Sequence, residues 1–397
     1  MKNKPKVLLA MSGGVDSSVA ALLLKKQGYE VIGAFMVNWS DTKNKITGEC
    51  TWREERRIAM KIAAKLEIKF ITLNFEKLYK KDVVDVMFKN YQKGITPNPD
   101  IDCNNKIKFP LLIKEAKKLG CDFVATGHYA RTFARYSPES KFEKSERGSE
   151  KRIKNNKEKY ELLRAKDESK DQSYFLYRIK QNELKNILFP IGEHTKKEVR
   201  EIAKKNKFQN YNKKSTVGIC FIGKINLKEF LKKRIKPKKG IILNPEGNKI
   251  GEHDGIYYYT IGQRIGPRFG IDLERGKGKE VKKWYVARKD VKENIIVAAP
   301  EGHELNFRKE IIIKNSHWIN EKPKTNSTPD GVSAGEVKVL SRIRQVGELL
   351  PSILKYEKGK FKIILKKAIT GVSQGQAIVL YRGTKCLGGG VIGFNNH

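Results

Sequence analysis

The clearest chemical capacity in this sequence lies at Ala10-Met11-Ser12-Gly13-Gly14-Val15-Asp16-Ser17-Ser18. Apolar residues precede it and an apolar, helix-like run follows it, which is the order strand, glycine turn, helix start. Adjacent glycines let the backbone turn tightly and approach a ligand. Ser17 and Ser18 fall where the first N–H groups of a helix have no intrahelical partner. A concavity of backbone donors at a helix start binds phosphate. The spacing is neither that of a Walker A loop nor G-x-G-x-x-G. Asp16 would repel an anion held there, so a bridging Mg²⁺ is expected beside it.

Two cysteine segments carry the second kind of chemistry. Thr96-Pro97-Asn98-Pro99-Asp100-Ile101-Asp102-Cys103 continues into Asn104-Asn105-Lys106-Ile107-Lys108-Phe109. Its prolines predict a rigid loop that presents Asn98, Asp100 and Cys103, and Lys106 and Lys108 would favour a thiolate. Ser215-Thr216-Val217-Gly218-Ile219-Cys220-Phe221-Ile222-Gly223 places Cys220 between glycines. Read alone, Cys220 fits a core cysteine and a reactive thiol equally well. Beside a phosphate loop and Cys103 it reads as the second thiol. The five cysteines are widely spaced with no C-x-x-C pair, which argues against a disulfide scaffold and a structural zinc site.

These groups need a frame. A strand is expected over 6–10, a helix over 17–27, a strand over 30–36, a helix over 52–66, a strand over 68–73 and a helix over 78–93. A helix over 109–119 and a strand over 122–126 follow. Strands alternating with helices predict an α/β doubly wound parallel sheet, with ligands at the carboxyl ends of its strands. Residues 137–159 are almost wholly polar and read as an exposed insertion without regular structure. Helical stretches follow at 172–185 and 195–206. After about residue 226, short β-like runs separated by Gly and Pro suggest small barrels or sandwiches, and the fold expected for this part is a small β-rich middle domain followed by a C-terminal β-barrel. The expected domains are 1–225, 226–293 and 294–397.

The formal net charge of +38 over 397 residues favours a polyanionic partner, nucleic acid foremost. Part of the excess is lysine scattered on helix faces. There is no room for a signal peptide before the first strand and no apolar run of membrane-spanning length, so a cytoplasmic location is expected.

The glycine string resembles the loop of the PP-loop ATP pyrophosphatases, which cleave ATP between the α and β phosphates. The match narrows with Ala125-Thr126-Gly127-His128-Tyr129, Lys170-Asp171-Gln172-Ser173-Tyr174-Phe175-Leu176, the Cys103 and Cys220 segments and Cys386-Leu387-Gly388-Gly389-Gly390, all in this order. Apart from the polar insertion, the chain resembles the bacterial-type tRNA-specific 2-thiouridylases from residue 5 to about 393.

That resemblance implies an ATP-dependent adenylation of C2 of the wobble uridine (U34) of tRNA, followed by sulfur transfer from a cysteine persulfide. The products are 2-thiouridine, AMP and pyrophosphate. It implies Cys103 as nucleophile, Cys220 as persulfide carrier with a transient Cys103–Cys220 disulfide, and Asp100 as acid/base. ATP falls to Ala10, Met11, Ser12, Gly13, Gly14, Val15, Asp16, Ser17, Met36 and Gly127, with Mg²⁺ bridged through ATP near Asp16 and no direct protein metal site. The target base falls to Asn98, Pro99 and Asp100. Contacts to tRNA fall to His128, Lys170, Asp171, Gln172, Arg342, Ile343 and Gln376. The implied partners are Lys, Glu and Gln tRNAs and a persulfide donor, either a cysteine desulfurase or a sulfur-relay protein. One departure stands out: the family's usual Arg-Tyr is Arg342-Ile343 here, so an aromatic ring able to stack on a base is missing, and the expectation is either weaker anticodon-loop docking or docking carried by Arg344 and Gln345. Packing roles are expected for Cys50, Cys121 and Cys386. Competing readings are an amidating or ligating PP-loop enzyme, which needs no thiol pair, an RNA-binding protein with a degenerate loop, and a sulfur carrier, which needs no ATP site.

Overall fold

The computed structural model describes residues 4–41, 50–144, 150–214, 226–266, 282–323, 336–345 and 347–394. The first unit begins β1 (Lys6–Ala10), α1 (Val15–Lys26), β2 (Glu30–Val37), α2 (Thr51–Lys65) and β3 (Lys69–Asn74). A π-helical turn, Lys80–Val84, joins α3 (Glu76–Tyr79) to α4 (Asp85–Gln92). A second, Cys103–Lys108, joins α5 (Pro99–Asp102) to α6 (Phe109–Lys118). Then come β4 (Phe123–Thr126), β5 (Ala130–Lys144), β6 (Glu150–Arg164), α7 (Ser173–Leu176), α8 (Gln181–Leu184), β7 (Ile187–Leu188) and α9 (Lys196–Lys205).

The central sheet has the order β3-β2-β1-β4-β7 and is parallel throughout. Its middle strands are covered on both faces, which is why they read as continuous apolar runs: Val7, Leu8 and Leu9 are fully buried. The chain departs from β1 toward β2 on one side and reaches β4 on the other. That reversal opens a crevice at the carboxyl end of β1, where α1 begins.

The expected loop at 97–103 is instead helical from Pro99. Asn98 caps α5, its side chain accepting from Ile101 N at 3.3 Å, and Pro99 occupies the first helical position. Proline lacks only a donor that would go unused there, so it starts this helix rather than breaking the chain.

The polar run 137–159 also differs from expectation. β5 and β6 form a hairpin in register from Ala130↔Arg164 to Lys144↔Glu150. A two-stranded ladder satisfies backbone donors and acceptors without a core, so polar composition alone does not exclude it.

The second unit holds α10 (Leu227–Lys232), β8 (Gly240–Leu243), β9 (Lys249–His253), β10 (Arg264–Ile265), β11 (Trp284–Asp290) and β12 (Ile295–Pro300). Its sheet order is β10-β11-β12-β8-β9, with β12 parallel to β8. This sheet therefore reaches Pro300, past the division expected at 293.

The third unit comprises β13 (Phe307–Trp318), β14 (Glu336–Arg342), β15 (Leu350–Glu357), β16 (Lys360–Thr370), β17 (Ala377–Arg382) and β18 (Lys385–Gly393). The order β13-β16-β15-β14-β17-β18 closes through β13–β18 pairing. β18 carries the Gly388-Gly389-Gly390 run, which reads as a turn. Its glycines serve close packing instead: a Cβ on Gly389 would stand 2.1 Å from Ile378 O. The hairpin joins this barrel, because β6 pairs with β18 at Leu162↔Cys386.

Beyond its base, the described backbone of β5 pairs with β6 alone, whereas Leu162 at the base is fully buried. Replacing residues 139–155 by an Asn-Gly turn is therefore expected to leave the thermal midpoint within about 2 °C of the parent. A fall of about 8 °C or more in a calorimetric scan would make the outer hairpin part of the folded core.

Candidate functional site

Gly13 has φ +77, and a Cβ there would lie 2.3 Å from Glu55 O on α2, so only glycine fits. The loop is braced from within. Ser12 N donates to Ser17 Oγ at 3.2 Å, and Ser17 Oγ donates to Gly14 O at 3.0 Å. Buried Asn210 donates from Nδ2 to Gly13 O and Ser18 Oγ, each at 3.0 Å. Gly14 is the N-cap of α1 and supplies no side-chain cap, which leaves first-turn N–H groups available to an anion. Gly127, at the end of β4, packs against this turn so closely that a Cβ would stand 2.7 Å from Ser17 N. Met36 is buried two residues beyond Ala34, the partner of Ala10. The residues from Ala10 to Ser17, with Gly127, thus form one constellation at the sheet's carboxyl edge.

Asp16 faces a cation already supplied by the chain. Lys196 Nζ lies 2.6 Å from its Oδ1 and 2.8 Å from its Oδ2. Tyr129 donates its hydroxyl to Oδ1 at 2.9 Å. Burial and the Asp16 charge push the Tyr129 hydroxyl far above its ordinary pKa, so it acts as a donor. Among the described residues there is no group of three or more His, Cys, Asp or Glu side chains able to hold a metal. With both Asp16 oxygens engaged, these residues do not fit a resident Mg²⁺ site; a magnesium ion at this loop would have to arrive on the phosphates of its ligand.

The segment before Asp100 is held by all three units. Thr96 N donates to Gln374 O at 3.2 Å, and Gln376 Nε2 donates to Thr96 O and Pro97 O, each at 3.0 Å. From the middle unit, Thr260 Oγ1 meets Thr96 Oγ1 at 3.1 Å. Lys289 Nζ donates to Gly94 O at 3.0 Å and Tyr259 O at 2.6 Å. Burial lowers the pKa of Lys289 to about 8.

Cys103 is fully buried, in a cluster with Ile107 and Leu112. Polar flanking residues suggest a presented thiol, but the π-helical turn directs the Cys103 side chain inward. Lys106 pairs with Asp102 at 3.3 Å and donates to Asp82 O at 3.3 Å. Lys108 Nζ lies 3.4 Å from His128 Nε2. Cys220, and with it the Cys103–Cys220 disulfide, lies outside the described residues. Cys50 donates to Ser40 O at 3.1 Å. Burial pushes the thiols of Cys121 and Cys386 up.

Most residues expected to touch tRNA are turned inward in this conformation. Asp171 and Arg342 are buried and paired with each other at 2.6 Å, with side chains 0% and 4% exposed. Asp171 also accepts from Ala165 N at 3.0 Å and Ser173 Oγ at 2.8 Å. Ile343 is buried in the barrel core, and Tyr174 donates its hydroxyl to Ile343 O at 3.3 Å. Gln172 Oε1 accepts from Tyr129 N at 2.9 Å. Half-buried His128 has Nδ1 2.7 Å from Thr126 Oγ1, and burial, helped by Lys108, holds its pKa well below the ordinary value. Lys170, Arg344 and Gln345 are exposed.

Lys196, Tyr129, Asn210 and Gln374 were not anticipated from sequence. The Thr195–Glu198 pair marks the start of α9 as a capping box, and that signal places Lys196 at a helix start. Nothing local announces Asn210.

The chain matches the families described as tRNA methyl transferase HUP domain over residues 5–224, tRNA methyl transferase PRC-barrel domain over 228–300 and Aminomethyltransferase beta-barrel domain over 308–392. It is 40% identical to the tRNA-specific 2-thiouridylase MnmA of Coxiella burnetii (strain CbuK_Q154), covering 97% of this chain and 95% of that protein. It is 39% identical to the same-named protein of Listeria monocytogenes serotype 4b (strain CLIP80459), covering 98% and 94%. Among solved structures, a 4-thiouridine synthetase–RNA complex with bound ATP aligns at TM-score 0.33 and 16% identity, over 58% of this chain and 50% of that one.

Breaking a buried ion pair leaves an uncompensated charge. Arg342→Met is therefore expected to cost about 3 kcal/mol of unfolding free energy, and Asp171→Asn/Arg342→Met distinctly less. A loss below about 1 kcal/mol for the single variant in urea titrations would show that this pair does not join barrel and sheet.

His128 is neutral when folded and protonates near its ordinary pKa when unfolded. The unfolded state then binds more protons, so stability is full above about pH 6.5 and falls as the pH drops. His253 and His317 are depressed by burial and act with the same sign. Each contributes at most about 1.4 kcal/mol per pH unit. His128→Gln should flatten the decline in unfolding free energy between about pH 7 and 5; an unchanged slope would refute a neutral imidazole at this position.

Proposed function

The chain belongs to the tRNA-specific 2-thiouridylases, and from that premise we propose how its residues replace O2 of the wobble uridine (U34) by sulfur. The observation that carries the reading is the match at about two-fifths identity over nearly the whole length of chain and relatives alike. Two of the matching family descriptions speak of methyl transfer. Methyl transfer needs neither an ATP loop nor a thiol pair, and this sequence has the residues for both.

ATP, carrying its own magnesium, binds with its phosphates at the first turn of α1, bounded by Ala10, Met11, Ser12, Gly13, Gly14, Val15, Asp16, Ser17, Met36 and Gly127. A base stacked in an anticodon loop is out of reach, so the uridine is extruded, at a cost of a few kcal/mol. It is received by Asn98, Pro99 and Asp100. The C2 carbonyl oxygen attacks the α-phosphate, the bond to the β-phosphate breaks, and pyrophosphate leaves. Adenylation converts a poor leaving group into AMP. Asp100 shuttles the proton.

Sulfur arrives as a persulfide on Cys220 from a donor protein. The Cys103 thiolate attacks the Cys220 sulfur, forming the Cys103–Cys220 disulfide and releasing sulfide. Sulfide adds at C2, and AMP departs with the former O2. An external thiol then reduces the disulfide. Because Cys103 is buried, this step requires the turn 103–108 to open.

The Lys, Glu and Gln tRNAs are held first by charge. The net +38 gives an affinity that falls steeply with salt. Lys170, Arg344 and Gln345 offer exposed groups, while His128, Asp171, Gln172, Arg342, Ile343 and Gln376 would have to exchange their internal partners to reach RNA. No helix among the described residues is long and apolar enough to cross a membrane, and the reaction belongs in a cytoplasm that keeps thiols reduced.

Mass spectrometry of tRNA incubated with the protein, ATP, Mg²⁺ and a persulfide donor tests this reading. The expected product carries one oxygen-for-sulfur exchange at the wobble base. Cys220→Ser and Cys103→Ser should each lower thiolation by about 1,000-fold or more while AMP formation on tRNA persists. Retained thiolation in Cys220→Ser, or an ATP-dependent ligation product instead, would refute it.

A further inference from the structure

We propose that Lys196 is the cation that binds the pyrophosphate end of ATP, stored on Asp16 until the nucleotide arrives. The inference rests on the reading of the glycine loop as an ATP site and adds a residue that no motif assigned. Three backbone restraints fix where Lys196 stands. Thr195 Oγ1 accepts from Glu198 N at 3.2 Å, Glu198 Oε2 accepts from Thr195 N at 2.6 Å, and Asp167 Oδ2 accepts from Lys196 N at 2.9 Å. The side chain is 12% exposed and runs past the Tyr129 ring, 5.7 Å from its centroid. It ends on both oxygens of Asp16, the residue beside Ser17.

An ammonium has three donors. Two meet Asp16, and among the described residues the third is left for a ligand. Asp16 is 29% exposed and stands in the first turn of an uncapped helix start. The carboxylate alone would repel a triphosphate, so its neutralisation by Lys196 makes the cradle anion-competent before any metal is present. Two other basic groups stand nearby: Lys213 pairs with Glu55 on α2, and Arg200 donates to Lys213 O at 3.5 Å. Lys196 differs from them in meeting the carboxylate of the glycine loop itself, which places its ammonium to follow charge as it shifts onto the leaving pyrophosphate. A lysine suits this role as a compact point charge.

Titration calorimetry with inorganic pyrophosphate, without magnesium, separates phosphate binding from mere neutralisation of Asp16. Lys196→Met should weaken pyrophosphate by about 30-fold, and Lys196→Arg should restore most of that loss. Asp16→Asn should tighten pyrophosphate, because it frees the ammonium and removes the repelling charge. The decisive comparison lies in the Asp16→Asn background, where Lys196→Met leaves no unpaired charge behind and no folding defect from one. There the loss should persist at about 10-fold or more. A loss within about 3-fold in that background would reduce Lys196 to a counter-ion of Asp16 and overturn the proposal. Failure of the unaltered protein to bind either pyrophosphate or ATP would instead remove the ATP reading, and this inference with it.

Discussion

Asp171 and Arg342 form an ion pair almost entirely withdrawn from water, between the catalytic unit and β14 of the barrel. Burying two charges costs several kcal/mol each unless their partners are complete. Here the carboxylate accepts from Ala165 N, Ser173 and Arg342, and Ser173 Oγ lies 3.1 Å from the Tyr381 hydroxyl. Such a pair tolerates little displacement. It fixes the barrel in register with the sheet, and the other polar contacts of that interface depend on the register. Tyr174 reaches Ala377 O at 3.0 Å, and Gln376 reaches the carbonyls of Thr96 and Pro97, across the same interface.

The consequence falls on the segment that leads into Asp100 and Cys103. It borrows its rigidity from two other units, through Gln374 and Gln376 on one side and Thr260 and Lys289 on the other. The prolines help, but Pro99 acts by starting a short helix. A segment gripped this way couples anything that moves the barrel to the position of the candidate acid/base. The internal partners of Asp171, Arg342 and Gln376 therefore link the barrel to the segment that carries Asp100 and Cys103.

At the glycine loop the controlling fact is charge. The turn carries backbone donors and one carboxylate, and the structure answers that carboxylate with Lys196 and Tyr129, which come from distant parts of the chain. The expectation of Mg²⁺ beside Asp16 followed from the same imbalance. Local sequence reveals that a cation is needed but not which cation answers the need, because Lys196 is brought in by the packing of α9 against α1.

Short-range patterns determined the alternating strands and helices of a parallel sheet, the glycine turn between β1 and α1, and the β-rich character of the carboxyl-terminal part. Strand and helix periods, glycine pairs and capping residues act over a few residues, so they are legible without the fold. Tertiary structure decided the rest. It closed the barrel through β18, whose glycines look like a turn until neighbouring strands show why no Cβ fits. It paired residues 137–159 into a hairpin that extends the barrel sheet, buried Cys103, and set Asp171 against Arg342. Each of these outcomes depends on contacts between residues far apart in sequence, and a residue's own neighbours carry no record of them.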